Sequence, residues 1–108
     1  MRIPKNRIPT HPGAVLLKEF LEPLNISQRE LADAIHVPYQ RINELVNGKR
    51  GITPSTALRL SAFFGNSSEF WLNLQQISEL YNVWSKEEKE LEAILPFQGH
   101  NQEIRTSL

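Results

Sequence analysis

Between Ser27 and Gly48 the chain sets two short apolar stripes of helical period almost end to end, in "SQRELADAIHVPYQRINELVNGKR". Leu31, Ala32 and Ile35 form the first stripe, and Ile42, Leu45 and Val46 form the second. Steps of three and four residues place each set on one side of a helix. Helices this short have little stability of their own, so both stripes must close on a shared core. The boundaries are written locally. Ser27 and Glu30 make an S-x-x-E capping box, Pro38 starts the second helix, and Gly48 stops it after about Asn47. Ala32 is small enough for two helices to cross closely above it. The stretch therefore reads as a helix-turn-helix.

The flanking segments are helical too, and the expected fold class is all-α. "HPGAVLLKEFLEPL" reads as a helix from Pro12 to about Glu22, with Val15, Leu16, Phe20 and Leu21 on one side and Pro23 as its stop. Thr53-Pro54 caps and opens a fourth helix over 54–64, ended by Gly65. Asn66 and Glu69 form a possible second capping box, opening a long fifth helix to about Trp84. A short, highly charged extra helix is expected over Lys86 to Leu95. Residues 1–10 read as an extended arm, 11–84 as the helix-turn-helix domain with a dimerisation helix, and 85–108 as the charged helix and a loose tail.

The outer face of the third helix is chemically unusual. Opposite its apolar stripe lie Gln40, Asn43, Glu44 and Asn47, with Tyr39 and Arg41 at the two borders. Amides pair bidentately with adenine, guanidinium groups with guanine, and a carboxylate accepts from cytosine. Tyr39, Gln40, Asn43 and Glu44 are the candidate base readers, because the start of such a helix enters the major groove deepest. Gln28 and Arg29, at the first turn of the preceding helix, are placed to meet phosphate, as are Arg41, Lys49 and Arg50. Any single polar residue on a surface helix is most simply solvated. The case rests on the combination of tight turn, small Ala32, amide-rich face and basic flank.

Composition bounds the alternatives. A chain of 108 residues suits one domain, and 40% apolar content suits a folded one. Without cysteine there are no disulfides or thiolate zinc sites. No apolar run reaches a membrane span and the start lacks a signal-peptide core, so the expected location is the cytoplasm. Net charge is zero but uneven: residues 1–50 carry +3 and residues 51–108 carry −3. His11, His36 and His100 fall in separate segments without ligand spacing, and no nucleophile or phosphate-cradling motif is present, so neither an enzyme nor a cofactor is expected.

The helix-turn-helix segment resembles the Cro/C1-type (XRE) domains. Over about residues 11–84, the blocks "NGKRGITPSTALRL" and "EFWLNLQ" extend the likeness to HigA-type (VapI-type) antitoxins. That resemblance implies a five-helix Cro/C1-type fold. It further implies a small cytoplasmic protein that neutralises a RelE-like, mRNA-cleaving toxin and represses its own operon by binding operator DNA. Three positions depart from the family pattern. His36 stands where a left-handed Gly is common, Pro38 replaces a Ser or Thr cap, and Ala14 replaces a frequent Glu. A free-standing repressor without a toxin is the alternative; an adaptor that binds no DNA fits the amide face less well.

In the fifth helix Phe70, Leu74, Ile77, Tyr81 and Trp84 follow a 4-3-4-3 spacing, with Trp71 and Leu72 widening the stripe. Most of it is expected to cover the protein's own core. Its outer part, Ile77, Tyr81 and Trp84, is the expected homodimer interface, since a single helix-turn-helix reads few base pairs. The acidic run "KEEKELEAIL" is most simply a solvated face, or a docking surface for a basic toxin.

Overall fold

The computed structural model describes residues 8–98. Most of the expected N-terminal arm, the end of the tail and His100 lie outside them. Helices account for all regular structure among the described residues. We number them α1 (an α turn Pro12–Val15, a π-helical stretch Leu16–Leu21 and a closing turn Glu22–Leu24), α2 (Gln28–Ile35), α3 (Tyr39–Val46), α4 (Pro54–Phe64) and α5 (Ser68–Glu92).

The first helix does not stop at Pro23. Its middle widens to π geometry, in which the Glu22 N–H reaches back five residues to the Leu17 carbonyl. A proline ring collides with the carbonyl four residues earlier in a regular α-helix; the wider turn displaces that carbonyl and lets the chain pass. The helix ends two residues later, at Asn25, which turns left-handed with φ 56°.

Asn25, His36 and Gly48 close their helices in one way. In each case the following N–H returns to a carbonyl five residues back: Ile26 to Leu21, Val37 to Ala32 and Lys49 to Glu44. His36 takes φ 61° in the turn between α2 and α3, so the position that resembled a glycine site is indeed left-handed. At the other ends, the Ser27–Glu30 box forms with both bonds, at 3.0 and 2.9 Å. Thr53 accepts from the Thr56 N–H. Pro38 is the residue before α3 rather than its first, and no side chain caps that helix.

Two expectations for α5 change. Ser67, not Asn66, caps it, accepting from the Phe70 N–H at 3.1 Å. Asn66 is taken by the indole of Trp71, whose Nε1–H donates to Asn66 Oδ1 at 3.0 Å. A fully buried indole N–H must find a partner, and that need outweighs the capping box. The charged segment is also not a separate helix: α5 runs unbroken through Trp84 to Glu92.

The core gathers Leu16 and Leu21 from α1, Leu31, Ala32 and Ile35 from α2, Ile42 and Leu45 from α3, Ala57 and Leu60 from α4, and Trp71 from α5, with Val37 and Ile52 from the connections. Phe20 and Phe64 pack on the Trp71 indole, with Phe20 and Trp71 ring centroids 4.9 Å apart. This places the α2–α3 pair on a three-helix base, with the outer face of α3 turned to solvent.

Candidate nucleic-acid interface

Three elements brace α3 and its flanking turns from behind. Gly13 brings α1 so close that a methyl group in place of its hydrogen would overlap the Leu45 carbonyl oxygen. Arg59, from α4, donates through Nη1 to the Ile35 carbonyl at 2.8 Å and the His36 carbonyl at 3.4 Å, closing the α2–α3 turn. Gln75, from α5, accepts from the Ile52 N–H at 2.7 Å and so holds the loop that follows α3. Its amide fills the space that a Cβ at position 51 would need. None of these three had a local signature. Each depends on a partner 23 residues or more distant.

The outer face carries two hydrogen-bonded clusters of side chains. In the first, Asn43 is the hub. Its Nδ2 donates to Gln28 Oε1 at 3.1 Å and to Tyr39 Oη at 3.4 Å, while its Oδ1 accepts from Asn47 Nδ2 at 3.2 Å. The Arg29 guanidinium lies 4.2 Å from the Tyr39 ring centroid, a cation–π stack joining the first turns of α2 and α3. In the second cluster, Glu44 accepts from Arg50 Nε at 3.1 Å and from Gln40 Nε2 at 3.5 Å. A further Arg50 nitrogen lies 3.1 Å from the same carboxylate oxygen. Pro38, Gln40, Arg41, Glu44 and Arg50 together line a shallow recess. Lys49 is exposed beside it.

The expected base readers and phosphate contacts thus share one surface, Gln28, Arg29 and Tyr39 along one edge, Gln40, Arg41, Glu44 and Arg50 along the other. Asn47, which the wheel placed on this face, proves to be tied into the Asn43 cluster.

Residues 17–72 match the helix-turn-helix family. The chain is 36% identical over 107 residues to antitoxin HigA-1 of Vibrio cholerae, covering 98% of this chain and 100% of that protein. The chain belongs to the HigA-type antitoxin family of helix-turn-helix proteins. It is also 42% identical to virulence-associated protein I of Dichelobacter nodosus, over 89% of this chain and 91% of the other. Among solved structures, the Pseudomonas aeruginosa antitoxin HigA with the higBA promoter superposes with a TM-score of 0.80 at 36% identity, covering 83% of this chain and 99% of that one. Antitoxin GraA in complex with its operator gives 0.80 at 28% identity, covering 91% and 100%. This is a family of DNA-binding regulators and antitoxins, not of enzymes.

The remaining expected site is the outer stripe of α5. Ile77, Tyr81 and Trp84 are each half-buried, and the Tyr81 and Trp84 rings lie 6.0 Å apart. The core-facing side of this helix is centred instead on Trp71 and Ser78. A more exposed apolar surface lies on α4, where Leu58 and Phe63 are 61% and 42% exposed on either side of Ala62. No helix among the described residues is long and apolar enough to cross a membrane.

Proposed function

We propose that this protein is the antitoxin of a type II toxin–antitoxin pair: it neutralises a RelE-like mRNA-cleaving toxin and, as a homodimer, binds operator DNA to repress its own operon in the cytoplasm. The observation that carries the DNA half is the outer face of α3. Its side chains are ordered by mutual hydrogen bonds yet contribute nothing to the core. Gln40 and Glu44 read base edges, while Gln28, Arg29, Arg41, Lys49 and Arg50 meet phosphate. The relatives solved with promoter and operator DNA support duplex DNA as a partner.

A dimer would set two α3 helices about one DNA turn apart, ~34 Å. Ile77, Tyr81 and Trp84 form one proposed two-fold surface. The second reading, the α4 face, is favoured by the exposure of Leu58 and Phe63. Sedimentation separates them: Tyr81→Ala with Trp84→Ala yields monomer on the first reading, and Leu58→Ser with Phe63→Ser yields it on the second.

The antitoxin half is tested by co-expression with the toxin gene from an unrelated promoter. The double change Gln40→Ala, Asn43→Ala abolishes operator binding but still restores growth, because neutralisation does not use the DNA-binding face of α3. A wild-type protein that neither restores growth nor co-purifies with the neighbouring gene product would instead be a free-standing repressor.

A further inference from the structure

Asn43 cannot act as a free base reader in this arrangement. Bidentate pairing with adenine requires an amide to donate to N7 and accept from the N6 amino group. Both Nδ2 hydrogens of Asn43 are already committed, one to Gln28 and one to Tyr39, and its oxygen already accepts from Asn47. What that commitment does to its neighbours is informative. Gln28 offers its oxygen inward, which leaves the two hydrogens of its Nε2 for the outside. Tyr39 accepts inward through Oη, which leaves its O–H proton to be donated outward. Arg29 stacks on the same Tyr39 ring and has only donors to offer. Gln28, Arg29 and Tyr39, where α2 and α3 begin, therefore all turn hydrogen-bond donors outward. A phosphate, whose oxygens only accept, is the part of a duplex that suits such an edge.

We infer that Asn43 is a positioning residue, which sets the amide polarity of Gln28 and the hydroxyl direction of Tyr39 so that both, with Arg29, donate to a single DNA phosphate. Tyr39 thereby moves from the base-reading group to the backbone-binding group. The inference rests on the DNA-binding reading above and refines the role of its residues.

The probe is the duplex that wild-type protein selects from a randomised library, together with single-base variants of it and an unrelated duplex of equal length. Asn43→Ala should weaken binding to the whole panel by about three- to tenfold, with no change in base preference at any position. In a Gln28→Met, Tyr39→Phe background the same change should cost less than about twofold, because the groups it orients are gone. Asn43→Asp, whose carboxylate only accepts, should force both neighbours to turn their donors inward and lose more than Asn43→Ala. That extra loss should shrink to its charge contribution in the double-variant background. Asn43→Ser replaces Asn43→Ala if circular dichroism shows the alanine variant has lost helix. A changed preference at one base position overturns the inference, and so does an equal loss in both backgrounds. Failure of wild-type protein to select any sequence would sink the DNA-binding reading itself.

Discussion

Gly13 and the Leu45 carbonyl touch backbone to backbone, and no other residue type fits at position 13. Helix propensity alone would favour alanine there by about 0.5–1 kcal/mol. The overlap with Leu45 acts in the opposite sense and is larger, because its partner is main chain that cannot rotate away. Gly13→Ala should lower unfolding free energy by about 1–3 kcal/mol in urea titration. DNA affinity should fall with it, since the clash displaces the C-terminal end of α3.

Gln40 and Lys49 should fail differently. Gln40→Ala should cost roughly 1–3 kcal/mol at the selected operator and relax preference at one base position. Lys49→Ala should weaken all duplexes by a similar factor and flatten the dependence of affinity on salt. Fluorescence anisotropy at several salt concentrations separates the two. Equal behaviour of both variants would mean that Gln40 does not face the bases.

In the unbound protein the Glu44 carboxylate occupies the Arg50 guanidinium as a phosphate would. Glu44→Gln should release Arg50 and remove one negative charge from the surface. Binding to unrelated duplex should tighten and its salt dependence steepen, while discrimination for the operator falls. Unchanged affinity for unrelated DNA would show that the pair stays intact on the duplex.

His11 introduces a pH dependence. Its Nδ1 accepts from the Gly13 N–H at 2.9 Å and caps α1, and partial burial lowers its pKa below the ordinary histidine value. A pKa lowered by folding means that the folded state favours the neutral ring. The stabilisation is therefore present above the unfolded pKa of about 6.5 and is lost as pH falls through the lower folded value. Thermal melts should show this acid-side loss in wild type and a smaller one in His11→Asn, which keeps a cap but does not titrate there. His11→Ala should cost about 1 kcal/mol at neutral pH.

What could be read from the sequence was whatever depends on near neighbours. The Ser27–Glu30 box, the Thr53 cap and the Gly48 and Gly65 stops involve residues three to five apart, and all four form. The buried stripes of α2 and α3 follow from period alone. The surprises have distant or competing causes. Pro23 lies inside a helix because a π stretch ahead of it makes room. Asn66 gives up its cap because Trp71, five residues on, is buried and needs its oxygen. The Gln28–Asn43 bond spans 15 residues and exists only once α2 and α3 have crossed, so the residue types suggested an interface but could not say which amides were already engaged.

The unbroken α5 has a mechanical consequence. It is anchored near one end by the buried Trp71 indole, and from Ser85 to Glu92 every residue is exposed. The last buried residue of the helix is Ser78, and at 1.5 Å per residue the tip stands about 20 Å beyond it, so a 10° bend there sweeps Glu92 through about 4 Å. The helix is a lever: a bend beyond Ser78 too slight to disturb the packing of Phe20, Phe64 and Trp71 would be magnified into a displacement of several ångström at its far end.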